Sequence, residues 1–306
     1  MKTIVVHDGQ FHADEVCAFT ILQKIFGELI LIRARDEISI NLGNFVVDVG
    51  FMYEPNSDKF DHHQHDFNEK FPNSNIPMAS AGLVYTKYGK TFLKTYINDN
   101  DIVETIYNKF YHKFIKEIDA IDNGVMLEYN KDYNIMGIST LISYMNNNDI
   151  YDYDKQMEKF MEASKLMLQH MDIVINHLIN EEKNFIHDYP IIEKACNERF
   201  NHSETGEFII IDTDCNQWLR CILQYEKKHN CINNIKFVIY PSNEQIRIRA
   251  IKIGSILRKP LLNQNILRSN IKNTDDLLFI HKNLFIGSFK TKETAIEVAK
   301  LSLGIY

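Results

Sequence analysis

Residues 1–50 read MKTIVVHDGQ FHADEVCAFT ILQKIFGELI LIRARDEISI NLGNFVVDVG. The β-branched and apolar runs at 3–7, 29–35 and 45–49 predict three short strands, and the apolar spacing within 14–26 predicts a helix between the first two. Strand, helix and strand in this order form a βαβ unit, whose parallel sheet needs helices on its faces. The chain is therefore read as α/β. Open sheets of this kind gather their ligands at the carboxyl ends of the strands. That edge receives His7 and Asp48, the polar residues that end the first and third strands.

Working outward, residues 51–77 are rich in Asn, Asp and Pro and predict a loop long enough to be functional. Helical spacing follows at 79–88 and 101–121. Between 154 and 185, Met157, Phe160, Met161, Met167, Met171, Val174, Ile175, Leu178 and Ile179 recur at steps of three and four, which predicts a long amphipathic helix joining two domains. Its methionines read as core packing. Beyond it, strands are expected at 208–212, 236–240 and 246–252, a helix at 217–227, a hairpin at 277–287, and a last helix at 292–303 started by Thr291. The expected organisation is a parallel-sheet domain over 1–150, a connecting helix over 151–190, and a smaller α+β domain over 191–306.

The 306 residues are 45% hydrophobic and 25% charged, the composition of a globular chain able to bury a core. No run approaches the roughly 18 to 20 apolar residues of a membrane span, and the N-terminus lacks the charged, apolar and cleavage regions of a secretory signal. Cys17, Cys196, Cys215, Cys221 and Cys231 are scattered and form no CxxC, which suits a reducing compartment and predicts a cytoplasmic protein, with nuclear or mitochondrial residence open. The formal charge of -7 argues against coating duplex nucleic acid by bulk electrostatics. Yet residues 247–300 carry eleven Lys or Arg against four Asp or Glu. That asymmetry fits an acidic metal-binding half and a basic half that tracks a phosphate backbone, or an unevenly solvated surface.

Four clusters carry the chemistry. His7-Asp8-Gly9-Gln10-Phe11-His12-Ala13-Asp14-Glu15 crowds two imidazoles and several carboxylates into a strand end, a turn and a helix start. Asp48 emerges from an apolar strand before Gly50. Asp61-His62-His63-Gln64-His65-Asp66 frames adjacent histidines with acids and is the sharpest signal. In Glu117-Ile118-Asp119-Ala120-Ile121-Asp122-Asn123-Gly124, two aspartates lie three apart at a helix end that Gly124 can terminate, a pattern equally open to ordinary capping. Mixed imidazole and carboxylate donors suit Mn²⁺, Fe²⁺, Co²⁺ or Zn²⁺, and several acids shared among several imidazoles suggest two ions. Paired cations about 3.5 to 4 Å apart activate water and clamp phosphoryl oxygens, so hydrolysis of a phosphoester fits this equipment.

Phe11-His12-Ala13-Asp14-Glu15, Val47-Asp48-Val49-Gly50, Phe60-Asp61-His62-His63-Gln64, Ser80-Ala81-Gly82-Leu83-Val84-Tyr85 with Tyr88-Gly89, and Asp119-Ala120-Ile121-Asp122-Asn123-Gly124 resemble, in order, the melanocyte-proliferating-gene family. The C-terminal Phe279-Ile280-His281-Lys282-Asn283-Leu284-Phe285-Ile286-Gly287 and residues 291–301 are similar to the family's ending. That family looks like a branch of the DHH phosphoesterases, related to RecJ exonucleases and family II pyrophosphatases. The resemblance implies a two-domain 3′-to-5′ exonuclease acting on RNA, with two ions, usually Mn²⁺ and alternatively Mg²⁺ or Co²⁺, in the first domain. Carried over by position, it implies metal ligation by His7, His12, Asp14, Asp48, His62 and Asp122, with Asp119 the alternative for the last. Asp48 would bridge. His63 would contact the phosphate or protonate the leaving oxygen, and Asp61 would orient it.

The chain departs from the family pattern at 140–147, Thr-Leu-Ile-Ser-Tyr-Met-Asn-Asn, which lacks the family's arginine and proline. Arg247 and Arg249, on one face of a strand, with Lys252, Arg258 and Lys259, are candidate replacements for phosphate grip, or a solvated strand face. Ser80 is a candidate to offer helix N-terminal amides to a phosphate, or a plain cap. Trp218 reads as core packing before base stacking. The expected partner is single-stranded RNA or a short oligonucleotide, without a membrane. Two other classes stay open: a small-molecule phosphoesterase acting on an oligonucleotide, cyclic dinucleotide or pyrophosphate, and a metal-stabilised binding module without turnover.

Overall fold

The computed structural model describes residues 1–125, 136–146, 149 and 151–305. The chain divides into two compact units, Met1–Glu182 and Lys183–Tyr306. Each is a mixed α/β body built on its own five-stranded sheet.

In the first unit, strand β1 (Lys2–Val6), helix α1 (Ala13–Phe26) and strand β2 (Leu29–Arg33) form the expected βαβ unit, followed by a short helix α2 (Glu37–Asn41) and strand β3 (Phe45–Val47). Strands β1, β2 and β3 pair in parallel. Burial follows the two-residue period of a pleated strand: Ile4, Val6, Phe45 and Val47 enter the main core beneath α1, while Val5 and Val46 join a small cluster with Ile40 of α2 on the opposite face. The stretch expected to be a loop contains two further strands, β4 (Tyr53–Glu54) and β5 (Lys59–Phe60). β5 pairs in parallel with β3, β4 closes the edge antiparallel to β5, and the order is β2-β1-β3-β5-β4. Two-residue strands are too short to show a period, so the sequence alone gives no sign of them.

Helices α3 (Ser80–Lys94), α4 (Asn100–Phe110) and α5 (Lys116–Asp122) complete the body, with a single π turn, Tyr111–Ile115, joining the last two. Short helix α6 (Ile138–Tyr144) precedes the long helix α7 (Tyr153–Glu198). The stripe expected on α7 is buried in the first core through Phe160, Met167, Met171, Ile175, Leu178 and Ile179. The helix runs past 190, the expected end of the connecting helix, and so through Pro190, which removes one backbone hydrogen bond. It persists because Ile192, Ala195 and Cys196 are buried in the second unit's core.

The second unit contains β6 (Phe208–Ile210), α8 (Trp218–Lys228), β7 (Phe237–Ser242), β8 (Gln245–Ala250), a small ribbon of β9 (Lys252–Ile253) and β10 (Ile256–Leu257), α9 (Gln264–Asn270), β11 (Leu277–Ile280), β12 (Ile286–Phe289) and α10 (Lys292–Leu303). The main sheet runs β11-β12-β8-β7-β6, parallel only between β6 and β7. Both faces are covered: Phe208, Phe237, Ile239 and Ile248 pack on one side, Ile209, Val238, Tyr240 and Ile251 on the other. The Thr291 side chain accepts from the Thr294 amide at the start of α10, the expected cap.

Candidate metal centre

His7 follows β1 and Asp48 follows β3. In the order β2-β1-β3 the chain leaves β1 toward one side and returns as β3 on the other, so the two residues flank a switch point, the crevice where open α/β sheets hold ligands. Asp48 lies in the left-handed region (φ 56°), as do Gly50 (φ 95°) and Phe51 (φ 54°). Aspartate tolerates that conformation, whereas a bulky phenylalanine there costs about 1–2 kcal/mol. The turn is tied down by hydrogen bonds from the Asp48 amide to the Phe60 carbonyl (3.1 Å) and from the Phe51 amide to Asp61 Oδ2 (2.5 Å).

Around Asp48 the expected clusters meet. His7 Nδ1 donates to the Asp8 carbonyl (2.8 Å), leaving Nε2 to face Glu15 Oε1 at 2.9 Å and Asp48 Oδ2 at 3.3 Å. His62 Nε2 lies 2.9 Å from Asp122 Oδ2 and 3.5 Å from Asp48 Oδ1, yet it is buried without an aligned hydrogen bond. Among the described residues, three sets bring ligand atoms within 4.8 Å of one another: His7, His12, Glu15 and Asp48; Asp48, His62 and His63; and Asp14, His62 and Asp122. Asp48 and His62 each belong to two sets, the sharing that a pair of ions requires.

The electrostatics call for positive charge. Burial alone would lower the pKa of His7, but Glu15 and Asp48 outweigh it and raise it to about 11. For His62, burial is likewise outweighed by Asp122 and Asp48, again to about 11. Asp14 is pushed well above the carboxylate range by burial and by the charges of Asp122 and Asp48, while the His7 and His62 contacts overcome burial to hold Asp48 below it. Protons on two imidazoles thus balance the crowded carboxylates, and divalent cations accepted by the same lone pairs would displace them. Imidazole and carboxylate donors without a thiolate fit borderline divalent ions.

The supporting residues are as informative. Both oxygens of the buried Asp14 accept from the first turn of α3, from Ser80 N (3.0 Å) and Ala81 N (2.6 Å), so a helix N-terminus steadies this carboxylate. Ser80 is fully buried, and its hydroxyl points to Asp48 Oδ1 (3.5 Å). Of the two roles open to Ser80, phosphate contact or plain cap, the structure places its amide and hydroxyl against acids of the cluster. Asp119, the alternative to Asp122, is placed differently. It is fully buried, and its carboxylate accepts from Ala79 N (3.1 Å), Gly82 N (3.0 Å) and Tyr111 Oη (2.8 Å), whereas Asp122 faces His62. Asp61, 1% exposed, accepts from the His63 amide (3.1 Å) and from His63 Nδ1 (2.7 Å), leaving the half-exposed imidazole its Nε2. The Asp61 hydrogen bond raises the His63 pKa.

Sequence reasoning passed over several supporting residues. Glu15 accepts from the His12 amide (2.9 and 3.0 Å) besides facing His7; its position three residues after the helix cap was the available signal. Arg33, buried against Phe11 and Phe160, donates to the Gly9 carbonyl (2.7 Å). Asn146, in the stretch without the family arginine, clamps both backbone groups of Phe11 (2.8 Å each); its neighbour Asn147 lies outside the described residues. Two cavities open beside the cluster: one of about 310 Å³ lined by His12, Asp14, Asp122, Ser139 and Ser143, and one of about 500 Å³ lined by Arg35, Asp48, Phe51, Lys59 and His63. Arg247, Arg249 and Lys252 belong to the second unit. The first two are half-buried on β8, Arg249 over the Trp218 ring at 5.8 Å, and Lys252 is exposed over Phe285 at 4.7 Å. Arg258 is a buried partner of Glu226 (2.8 Å), which removes it from the free cations.

Fold and site together define a metal-dependent hydrolase. The family model MYG1_exonuc, described as "Uncharacterised protein family (UPF0160)", matches residues 3–303, and the chain belongs to this family. It is 32% identical to a "MYG1 protein" of Dictyostelium discoideum, over 97% of this chain and 95% of that one. It is 26% identical to a "MYG1 exonuclease" of Bos taurus, over 98% of this chain and 84% of that one. Among solved structures, RecJ of Thermus thermophilus in complex with Mn²⁺ aligns at 12% identity with a TM-score of 0.26, over 99% of this chain and 51% of that one.

Proposed function

We propose that the chain is an exonuclease that removes nucleotides from single-stranded RNA in the 3′-to-5′ direction, in the cytoplasm, with two Mn²⁺ ions. The observation that carries this reading is the sharing of Asp48 and His62 between neighbouring ligand sets. His7, His12, Glu15 and Asp48 would hold one ion, and Asp14, His62 and Asp122 the other, with Asp48 between them. Bound divalent cations lower the pKa of water toward neutrality and polarise phosphoryl oxygens. The chain's own part is positional. Asp61 fixes His63 through Nδ1, so that its Nε2 can contact a nonbridging phosphate oxygen or hand a proton to the leaving oxygen. Asp14 is kept rigid by α3, and His7 by the Asp8 carbonyl. The 5′-phosphate would stay on the released nucleotide. The five free cysteines suit a reducing compartment. No helix among the described residues is long and apolar enough to cross a membrane.

The test is metal content together with Mn²⁺-dependent release of 5′-nucleotides from end-labelled single-stranded RNA and DNA, for the wild type, Asp48→Ala and His62→Ala. Loss of bound metal and a drop in rate of about 10³-fold or more in both folded variants is expected, since several kcal/mol of transition-state stabilisation would go. Metal binding without release from either polymer would shift the assignment to a small phosphoester. Release that persists in both variants would exclude this site.

A further inference from the structure

The cavity of about 500 Å³ beside the cluster has one wall that the catalytic reading does not use, the ring of Phe51. Phe51 is a bulky residue at φ 54°, a conformation that side chains other than those of Gly, Asn and Asp seldom adopt, and it is 71% exposed. An exposed aromatic side chain in a strained turn gains nothing for the core. Its own amide, bonded to Asp61 Oδ2, would make the same bond with glycine in place. Backbone strain of this kind collects where a side chain must be presented to a ligand. The ring stands 6.3 Å from the His63 imidazole, centroid to centroid, one nucleotide unit or less from where the phosphate would lie. The rest of the cavity is mixed: Arg35 and Lys59 supply cations, Glu37 and Asn41 polar edges, Ile40 and Met52 apolar walls. Its size is that of a small-molecule site.

We propose that Phe51 is the stacking platform for the base of the nucleotide at the scissile phosphate, making this cavity a nucleobase subsite; the assignment rests on the phosphodiesterase reading above. Stacking on an aromatic face is sequence-tolerant because every base has a π-face, so the subsite would distinguish nucleotides with a base from those without one. The ring touches substrate only through the base and takes no part in the chemical step.

The test uses the Mn²⁺-loaded full chain with Phe51→Gly and Phe51→Asn, which accept positive φ without a ring, and Phe51→Tyr, which restores the ring. On oligonucleotides ending in a normal nucleotide, KM should rise about tenfold in the Gly and Asn variants, with kcat nearly unchanged and recovery in the Tyr variant. On oligonucleotides ending in an abasic residue all four proteins should behave alike. The thermal midpoint of Phe51→Gly should equal or exceed that of the wild type. An equal loss on normal and abasic ends, or no loss on either, would overturn the proposal. Should the wild type degrade no oligonucleotide, the exonuclease reading fails, and calorimetric binding of adenosine 5′-monophosphate against ribose 5-phosphate decides this one. A preference for the nucleotide that vanishes in Phe51→Gly supports it; a preference that persists, or none in the wild type, refutes it.

Discussion

At the scale of single residues, Asp119 and Asp122 show how three positions along one helix separate two functions. Asp122 reaches His62, while Asp119 spends its acceptor capacity on Ala79, Gly82 and Tyr111 in a fully buried site. Asp122→Asn should therefore abolish one equivalent of bound Mn²⁺, and Asp119→Asn should keep full stoichiometry, since an amide oxygen can still accept from both backbone amides. Burial, resisted by the Tyr111, Ala79 and Gly82 donors, pushes the Asp119 carboxyl up to about 7 from its ordinary 3.8. Between those values the folded chain binds the proton that the unfolded chain releases, so this group's contribution to stability falls as pH rises from about 4 to about 7. Asparagine does not titrate. In metal-free urea unfolding at pH 5 and pH 8, the wild type should lose more stability across the interval than Asp119→Asn, and parallel losses would refute the role given to this carboxyl.

At the scale of elements, the site depends on α3, which donates amides to Asp14 of α1 and to Asp119 of α5 from one turn. Gly82 makes that approach possible: a Cβ there would lie 2.3 Å from Asp119 Oδ2. Alanine would favour the helix by about 1 kcal/mol, but the buried carboxylate is fixed by three donors and cannot swing away. Gly82→Ala should thus destabilise the chain by about 1–3 kcal/mol in urea titration and weaken Mn²⁺ binding, because a displaced α3 releases Asp14. Equal or greater stability would show that α3 and α5 have slack. These elements also mark how far the sequence could be read. β1, α1, β2 and β3 were legible because periods of two and 3.6 are local, and HDGQFHADE and DHHQHD were legible because acids and imidazoles so dense have few other uses. The grip of α3 on Asp14 spans 66 residues in sequence and leaves no local trace, so Ser80 stays open in the sequence between a phosphate contact and a plain cap. The continuation of α7 past Pro190 is likewise a tertiary effect, carried by burial of Ile192 and Cys196 rather than by any local signal.

At the scale of the whole molecule, net charge and charge placement make opposing claims about the substrate. The sum of -7 disfavours a polyanion, while residues 247–300 carry an excess of seven positive charges. The structure narrows that excess. Arg258 is neutralised by Glu226 in a buried pair, and Lys292 faces Asp212 at 3.0 Å. Arg247 retains a buried Nε without a partner, Arg249 lies over Trp218, and Lys252 over Phe285. A cation stacked on an aromatic face is held in place with its charge unspent. If these groups track a nucleic-acid backbone, affinity for single-stranded RNA should fall with salt, and Arg247→Ala/Arg249→Ala should reduce the slope of log K against log salt by about 0.7 for each phosphate no longer neutralised. The double variant should weaken all sequences by a similar factor and leave Mn²⁺ stoichiometry unchanged. An unaltered slope would remove the two arginines from the substrate path. Hydrolysis insensitive to salt in both proteins would instead mark the substrate as a small phosphoester, since too few phosphates would then be engaged to release counterions.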